Sequence, residues 1–228
     1  MTTQMGKQWD DLLLHWSPRS PFVRKVMIAA RETGVADVIR LQRTVVAMSA
    51  PNQLLMEHNP LSKLPTLVVS KAGQVVKTIF DSSVICEWLD YQFKPEALVP
   101  SERDDRLHAR KFEALGDGIL DLLLIWLEER LRPEDQRSAV HIAAYQTKFR
   151  SALRYVETNV GSLGLRKFDV GQLAIGCALS YADFRFPFED WRSGHCHLSD
   201  WHQSFSARQS VLDTPVSDDL DPQLVSIL

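Results

Sequence analysis

The sequence predicts an α/β domain followed by an all-α domain. Short apolar runs broken by proline and glycine fill residues 11–93, whereas residues 104–210 are long, charged stretches with apolar residues at helical spacing. A chain of 228 residues is long enough to bury a substantial core in such an arrangement. Two prolines punctuate the interval between the halves. We therefore divide the chain into domains 1–93 and 104–228, joined by a linker over residues 94–103.

The first domain is predicted to follow the order βαβαββα. Its elements are strand 12–16, a helix through residues 23–30, strand 38–46, a short helix at 52–58, strands 66–69 and 75–80, and helix 82–93. Gly34 is placed to cap the end of the first helix. The first two strands are joined through a helix and should be parallel, while the turn containing Gly73 predicts an antiparallel hairpin.

The second domain is predicted to be helical throughout. One helix should run from residue 103 until Pro133 ends it, a second over residues 134–158, a third from Asp169 and another over residues 198–208. Glycines at 161–164 should interrupt the chain between the second and third helices. The segment after Asp213 is polar and is expected to be loosely held.

Composition excludes several classes of protein. The 26 Lys and Arg against 29 Asp and Glu give a formal net charge of −3, which disfavours nucleic acid as the main partner. Three well-separated cysteines argue against a disulfide framework and for a reducing compartment. No apolar run approaches the roughly 20 residues of a membrane span, and the first ten residues do not resemble a signal peptide. The chain is expected to be cytoplasmic and free of membranes.

Two serines lie between the first strand and the first helix. Ser20 precedes Pro21, so it is well placed as an N-cap with proline at the first helical position. The same helix N-terminus offers free N–H groups and the positive end of a dipole, which stabilise an anion such as a thiolate. A hydroxyl at this point donates one further hydrogen bond. The residues alone leave both roles open for Ser20, and Ser17 lies close by in sequence.

Two later segments also have both a structural and a functional interpretation. Pro65 comes directly before a strand, and the Leu64–Pro65 bond is either trans, the commoner state, or cis. A cis bond would leave the Leu64 N–H and C=O free to pair with a peptide-like ligand. Asp81 and Ser82 stand between a strand and a helix, where each can cap the helix. Alternatively Ser82 and the helix N-terminus bind a carboxylate and Asp81 an ammonium, which together describe an α-amino acid.

In order and spacing these segments resemble the thioredoxin-like half of the glutathione S-transferase family, and the resemblance extends over nearly the whole chain. The family's Asn-Pro-x-x-Lys-x-Pro stretch corresponds to residues 59–65, and its acidic-Ser pair to residues 81–82. Residues 168–173 resemble its capping box and hydrophobic staple, with Asp169 at N-cap and Gln172 at N3, where the family usually has Ser or Thr and Asp. Segments 182–186 and 198–208 also match.

The resemblance implies a two-domain, homodimeric glutathione transferase that conjugates hydrophobic electrophiles, as in detoxification. Leu64, with Pro65 in cis, would bind the backbone of the cysteinyl part of glutathione. Asp81 and Ser82 would hold the γ-glutamyl amino and carboxylate groups. Lys63 lies where the family often places a side chain near the glycyl carboxylate. Glutathione is thus the expected co-substrate, and the electrophile remains unnamed by the sequence.

The resemblance also implies a catalytic serine. Ser20 aligns with the cysteine of Cys-Pro-Phe classes, and bacterial members with Ser-Pro-Phe-Val-Arg look most similar, whereas Ser17 aligns with the serine of theta- and zeta-like classes. We favour Ser20. Its task would be to lower the pKa of the glutathione thiol, about 8.5 when free, by about two units, which requires about 2.7 kcal/mol of stabilisation. Since neither residue is a thiol, glutaredoxin-like and dehydroascorbate-reductase activities are disfavoured.

No metal is predicted. The run His195-Cys196-His197, with His202 nearby, carries ligand types, but adjacent residues seldom converge on one ion and no Cys-x-x-Cys accompanies them. The co-substrate implied by the family resemblance is glutathione, and no metal is expected beside it.

Other reactive or charged side chains are given structural roles. Cys86 and Cys177 lie in apolar helical stretches and are expected in the core. Arg24 and Lys25 are expected to be solvated residues of the first helix.

Two alternative functions fit the same family. One is a non-catalytic binding or scaffold protein, against which the intact set of Lys63, Leu64, Pro65, Asp81 and Ser82 argues, since a scaffold needs none of them. The other is a specialised lyase or dehalogenase that uses glutathione as a cofactor.

Overall fold

The computed structural model describes residues 9–47 and 50–218, which form an α/β unit followed by a helical region, as predicted. The strands are β1 (Asp11–Trp16), β2 (Ile39–Arg43), β3 (Thr66–Lys71) and β4 (Gln74–Ile79). They form one sheet in the order β2-β1-β3-β4. The β1–β2 pair is parallel and both pairs of β3 are antiparallel, which confirms the predicted parallel pair and hairpin.

The helices of the first unit are α1 (Pro21–Glu32), α2 (Gln53–Met56) and α3 (Ser82–Phe93). Each begins at a residue whose side chain accepts a hydrogen bond from a free N–H of the first turn. α1 ends before Gly34, whose φ of +76° is the left-handed conformation that closes a helix, so the predicted cap is confirmed. The order βαβαββα follows, with a short 3₁₀ turn before β2.

The helical region contains α4 (Arg103–Leu131), α5 (Ala139–Gly164), α6 (Val170–Arg185), α7 (Cys196–Ser206) and α8 (Gln209–Leu212). α6 is buried on almost every side and forms its centre. Its closest neighbour is α4, where a Cβ on Gly116 would lie 2.5 Å from the backbone carbon of Ala174. Only glycine permits this approach of the two helices. None of the helices within the described ranges is long and apolar enough to cross a membrane.

The boundaries of α5 differ from the prediction at both ends. The helix begins at Ala139 instead of residue 134, because Ser138 caps it and Glu129 accepts the Ser138 N–H at 2.6 Å. It also continues through Gly161 to Gly164 instead of stopping at residue 158. Leu163 in the last turn is fully buried, so packing there outweighs the low helix propensity of glycine.

Residues 214–218, the described part of the segment after Asp213, are held in place, contrary to the expectation of a loose tail. Thr214 is buried, and its carbonyl oxygen accepts a hydrogen bond of 2.7 Å from Arg24 Nε. Further along, the Asp218 carboxylate accepts hydrogen bonds from both terminal nitrogens of Arg185. Residues 214–218 therefore pack against α1 and the end of α6, and residues 219–228 lie outside the described residues.

The expectation of solvated Arg24 and Lys25 is wrong. Arg24 is half-buried beneath the tail, and Lys25 has no exposed surface at all. Lys25 reaches from α1 to α4, where its ammonium binds Asp117 and Glu113. The expectation failed because a charged residue on an amphipathic helix is normally solvent-facing, and Asp117, the partner that buries Lys25, is 92 residues away in sequence.

The predicted linker is an ordered connection. Asp90, near the end of α3, accepts hydrogen bonds from the N–H groups of Glu96, Leu98 and Val99, and Val170 N donates to the Leu98 carbonyl at 3.0 Å. The division into domains at residues 94–103 stays a prediction.

Candidate functional site

The sheet topology brings the three predicted segments to one edge. In the β1–β3 pair His15 lies opposite Thr66, so the end of β1 lies beside the start of β3. In the β3–β4 pair Leu67 lies opposite Ile79, so the end of β4 also lies there. The loop before α1 follows β1, the Leu64–Pro65 turn directly precedes β3, and the start of α3 follows β4. A site assembled from all three is therefore a consequence of the strand order.

At the start of α1, Ser20 is the N-cap and its Oγ accepts the Val23 N–H at 3.2 Å. The structural interpretation of Ser20 is thus confirmed, and the anion-binding interpretation is compatible with it, because the hydroxyl proton has no acceptor among the described residues. Ser20 is partly exposed, whereas Ser17 is 8% exposed and its carbonyl oxygen accepts the Ser20 N–H. A ligand reaching this loop meets Ser20 more readily than Ser17.

The Leu64–Pro65 bond is cis. Within the described ranges no group bonds the Leu64 amide or carbonyl, so both are unpaired. The loop before the bond is braced by Asn59, which is 2% exposed and donates from Nδ2 to the Lys63 carbonyl at 3.2 Å and to Thr66 Oγ1 at 3.0 Å. Asn59 thereby acquires a positioning role that the sequence analysis did not give it.

At the start of α3, Asp81 is the N-cap and accepts hydrogen bonds from the N–H and Oγ of Ser83. Partial burial alone would raise the pKa of the Asp81 carboxyl, but these bonds, with the nearby Lys25 ammonium, bring it below its ordinary value. The group is exposed and anionic, as an ammonium-binding residue must be. Ser82 is 2% exposed, and its hydroxyl bonds no described residue.

Lys63 and a carboxylate of α4 extend the site. Lys63 is exposed, and its charge acts on Asp121. Partial burial raises the pKa of the Asp121 carboxyl, the charge of Asp81 raises it further, and Lys63 opposes both. Asp121 therefore lies near both Lys63 and Asp81. The sequence analysis missed it, because nothing in the α4 sequence indicates which of its acidic residues faces the sheet edge.

Near this edge lies a pair of histidines, the buried His15 and the partly exposed His58, that the sequence analysis also missed. His15 Nε2 is 3.0 Å from His58 Nδ1, and His15 Nδ1 is 2.9 Å from Thr44 Oγ1. Because Thr44 Oγ1 donates to the Gln42 carbonyl, it accepts from His15, whose Nε2 then accepts from His58. Burial, with the nearby His58, lowers the pKa of His15. The signal available in the sequence was a histidine inside an apolar strand.

The fold gives the histidines and the cysteine at the start of α7 different partners, so they do not all meet at one point. His195 Nδ1 donates to the Trp191 carbonyl, and His202 bonds Ser180. Cys196 and His197 do approach each other, and with Glu157 their ligand atoms lie within 4.8 Å. Glu157 already accepts the N–H groups of His197 and Leu198, so it caps α7. The absence of a metal stays a prediction.

Both helical cysteines lie in the core, as predicted. Cys86 and Cys177 are buried, and burial raises the pKa of each thiol, that of Cys177 to about 11. Neither is a reactive thiolate near neutral pH.

Comparisons with known proteins agree with this geometry. A family model for the glutathione S-transferase N-terminal domain matches residues 19–92. The uncharacterized GST-like protein YibF of Escherichia coli (strain K12) is 30% identical over 197 residues, which cover 86% of this chain and 94% of that protein. A glutathione transferase family member from Pseudomonas fluorescens Pf-5, solved with bound glutathione, has a TM-score of 0.85 and 33% identity over 91% of this chain and 100% of its own. A second Pf-5 structure, with bound S-(propanoic acid)-glutathione, has a TM-score of 0.80 and 32% identity over 90% and 98% of the two chains.

Proposed function

Since this chain belongs to the glutathione S-transferase family, we propose that it binds glutathione at the shared sheet edge and activates its thiol for attack on a hydrophobic electrophile. The observation that carries the proposal is the meeting of two helix N-termini, α1 and α3, with the unpaired peptide of Leu64. Two relatives with about a third of their residues in common with this chain are solved with glutathione or a glutathione conjugate.

Binding would use one contact for each part of the tripeptide. The Leu64 N–H and C=O would pair with the cysteinyl backbone beside Pro65. Ser82 and the N–H groups at the start of α3 would donate to the γ-glutamyl carboxylate, and the Asp81 carboxylate would accept from the ammonium. Lys63 would lie near the glycyl carboxylate.

Catalysis would consist of stabilising the thiolate and positioning it. The Ser20 hydroxyl donates one hydrogen bond to the sulfur while its oxygen keeps the N-cap bond from Val23. The positive end of α1 adds to the stabilisation. Together the two effects are of the order of the 2.7 kcal/mol that is needed to lower the thiol pKa by about two units. Ser20 is favoured over Ser17 because it is the more accessible of the two.

The conjugate bound by the second relative supports a transferase over a scaffold. In S-(propanoic acid)-glutathione the sulfur carries a carbon substituent, which is the kind of product a transferase forms. A non-catalytic binding protein and a glutathione-dependent lyase or dehalogenase remain the alternatives. Assembly into a homodimer, a cytoplasmic location and a role in detoxification are part of the proposal.

The proposal is tested by initial rates of glutathione consumption with a panel of electrophiles: aryl halides, alkyl halides and activated alkenes. A rate above the uncatalysed one that falls in Ser20→Ala supports the transferase. Glutathione binding with no turnover on any electrophile would favour the scaffold alternative. Release of halide without a stable conjugate would favour the dehalogenase.

A further inference from the structure

A carboxylate from the tail of the chain is bound by two arginines, one of which precedes Ser20 in sequence. Asp218 accepts hydrogen bonds from the two terminal nitrogens of Arg185, at 3.1 and 2.6 Å, in the paired geometry typical of arginine and carboxylate. Arg19 Nε lies 3.6 Å from the same carboxylate. Two arginines thus surround one carboxylate group.

One member of this arginine pair lies next to the proposed thiol position, and the other is linked to it through the carboxylate that both contact. Arg19 directly precedes Ser20 in the loop before α1. Arg19, Ser20, Tyr181 and the tail residue Val216 line one narrow cleft. Arg185 lies one helical turn after Tyr181 at the end of α6, and its charge acts on the Tyr181 hydroxyl. A substituent on a sulfur held by Ser20 would therefore extend toward Arg19 and Arg185.

The arginine of α6 is held independently of the tail. Its guanidinium lies over the ring of Phe184, 4.0 Å from the ring centre, and its side chain is 16% exposed. Asp218, by contrast, is half exposed. Loss of the Asp218 contact would leave the arginine in place with its paired donors free.

We propose, on the basis of the function proposed above, that Arg185 and Arg19 bind a carboxylate carried by the electrophile, and that Asp218 occupies their site when the substrate is absent. The substrate class is thus an electrophile with a carboxylate a few bonds from the carbon that the sulfur attacks. The tail carboxylate competes with that group and keeps the arginines from remaining unpaired.

The test compares three ligands by calorimetric titration: glutathione, S-(2-carboxyethyl)glutathione and its neutral counterpart S-(2-carbamoylethyl)glutathione. The wild-type protein is expected to bind the acid conjugate at least tenfold more tightly than the amide. Arg185→Gln and the milder Arg185→Lys should reduce that ratio toward one and leave the affinity for glutathione unchanged. Arg154→Gln, on the exposed surface of α5, is the matched control and should keep the wild-type ratio.

Asp218→Asn provides a second test with the opposite sign. Removing the competing carboxylate should raise the affinity for the acid conjugate several-fold and leave that for the amide unchanged. A wild-type ratio near one, or a ratio that survives in both Arg185 variants, would overturn the carboxylate site while glutathione and both conjugates still bind. Loss of binding of all three ligands in the wild type would instead overturn the proposed function, and the inference with it.

Discussion

Lys25 on α1 donates to both carboxylate oxygens of Asp117 on α4, at 2.8 and 2.7 Å, and none of its side chain is exposed. Glu113, one turn earlier on α4, lies 3.0 Å from the same ammonium. Burial alone would lower the pKa of Lys25, but the two carboxylates hold it above its ordinary value, so the ammonium stays charged. This ion cluster connects the α/β unit to the helical region, and the charge of Lys25 acts on Asp81.

Replacing Lys25 should therefore destabilise the whole fold. In Lys25→Met the carboxylates of Asp117 and Glu113 lose their common partner, and breaking a buried ion pair in this way costs about 3–5 kcal/mol. Urea unfolding measures the loss, with the exposed Lys148→Met as control, for which a change within about 0.5 kcal/mol is expected. Equal unfolding free energies for Lys25→Met and the wild type would show that the cluster does not stabilise the fold.

Ser20→Ala should lower turnover far more than it lowers the affinity for glutathione. Loss of one hydrogen bond to a thiolate is expected to reduce kcat by about tenfold or more, with a matching rise in the pKa of the bound thiol, followed by ultraviolet thiolate absorbance. The variant also loses an N-cap, worth about 1 kcal/mol of stability. Ser138→Ala removes the N-cap of α5 and controls for that loss, and Ser17→Ala should have the smaller effect. A larger fall in Ser17→Ala would transfer the role to Ser17.

Asp81→Asn should weaken glutathione binding without disturbing α3. Asparagine caps a helix about as well as aspartate, so the change removes the charge and keeps the cap. An affinity loss of about tenfold, or 1.4 kcal/mol, is expected from calorimetry. An analogue of glutathione that lacks the γ-glutamyl amino group should bind both proteins equally. If the analogue loses further affinity in Asp81→Asn, the ammonium assignment is wrong.

Acid should destabilise the protein through His202. Burial lowers the pKa of this imidazole to about 4, from 6.5, despite the opposing charge of Asp183. As the pH falls the unfolded chain takes up the proton first, so stability that is complete above pH 6.5 is lost between pH 6.5 and 4, by roughly 3 kcal/mol. Urea unfolding across this range should show a shallower loss in His202→Gln, whereas exposed His141→Gln should match the wild type. Parallel pH profiles for His202→Gln and the wild type would contradict the assignment.

The order of elements was predictable because its signals are local. The caps at Ser20 and Asp169, the glycine after α1 and the apolar spacing each act within a few residues, and α3 was predicted with the bounds it has. Part of the capping-box prediction differs in detail. Asp169 accepts the Gly171 and Gln172 N–H groups as expected, but the Gln172 side chain donates to carbonyls of the preceding loop.

What the sequence did not reveal depends on partners far apart in the chain. Lys25 and Asp117 are 92 residues apart, and the burial of a lysine on α1 follows only from the placement of α4. The same holds for Asp121 near Lys63 and for the tail carboxylate of Asp218 on Arg185. The segments that carry the proposed glutathione site could be found because each has a short motif, and the side chains around them could not.

The most direct test of the central claim is a calorimetric titration of the purified wild-type protein with reduced glutathione, repeated with Asp81→Asn. Saturable binding at one site per chain, weakened in Asp81→Asn, is the predicted result. No heat of binding up to millimolar glutathione would contradict the claim that the shared sheet edge is a glutathione site, and the fold would then have to serve another ligand.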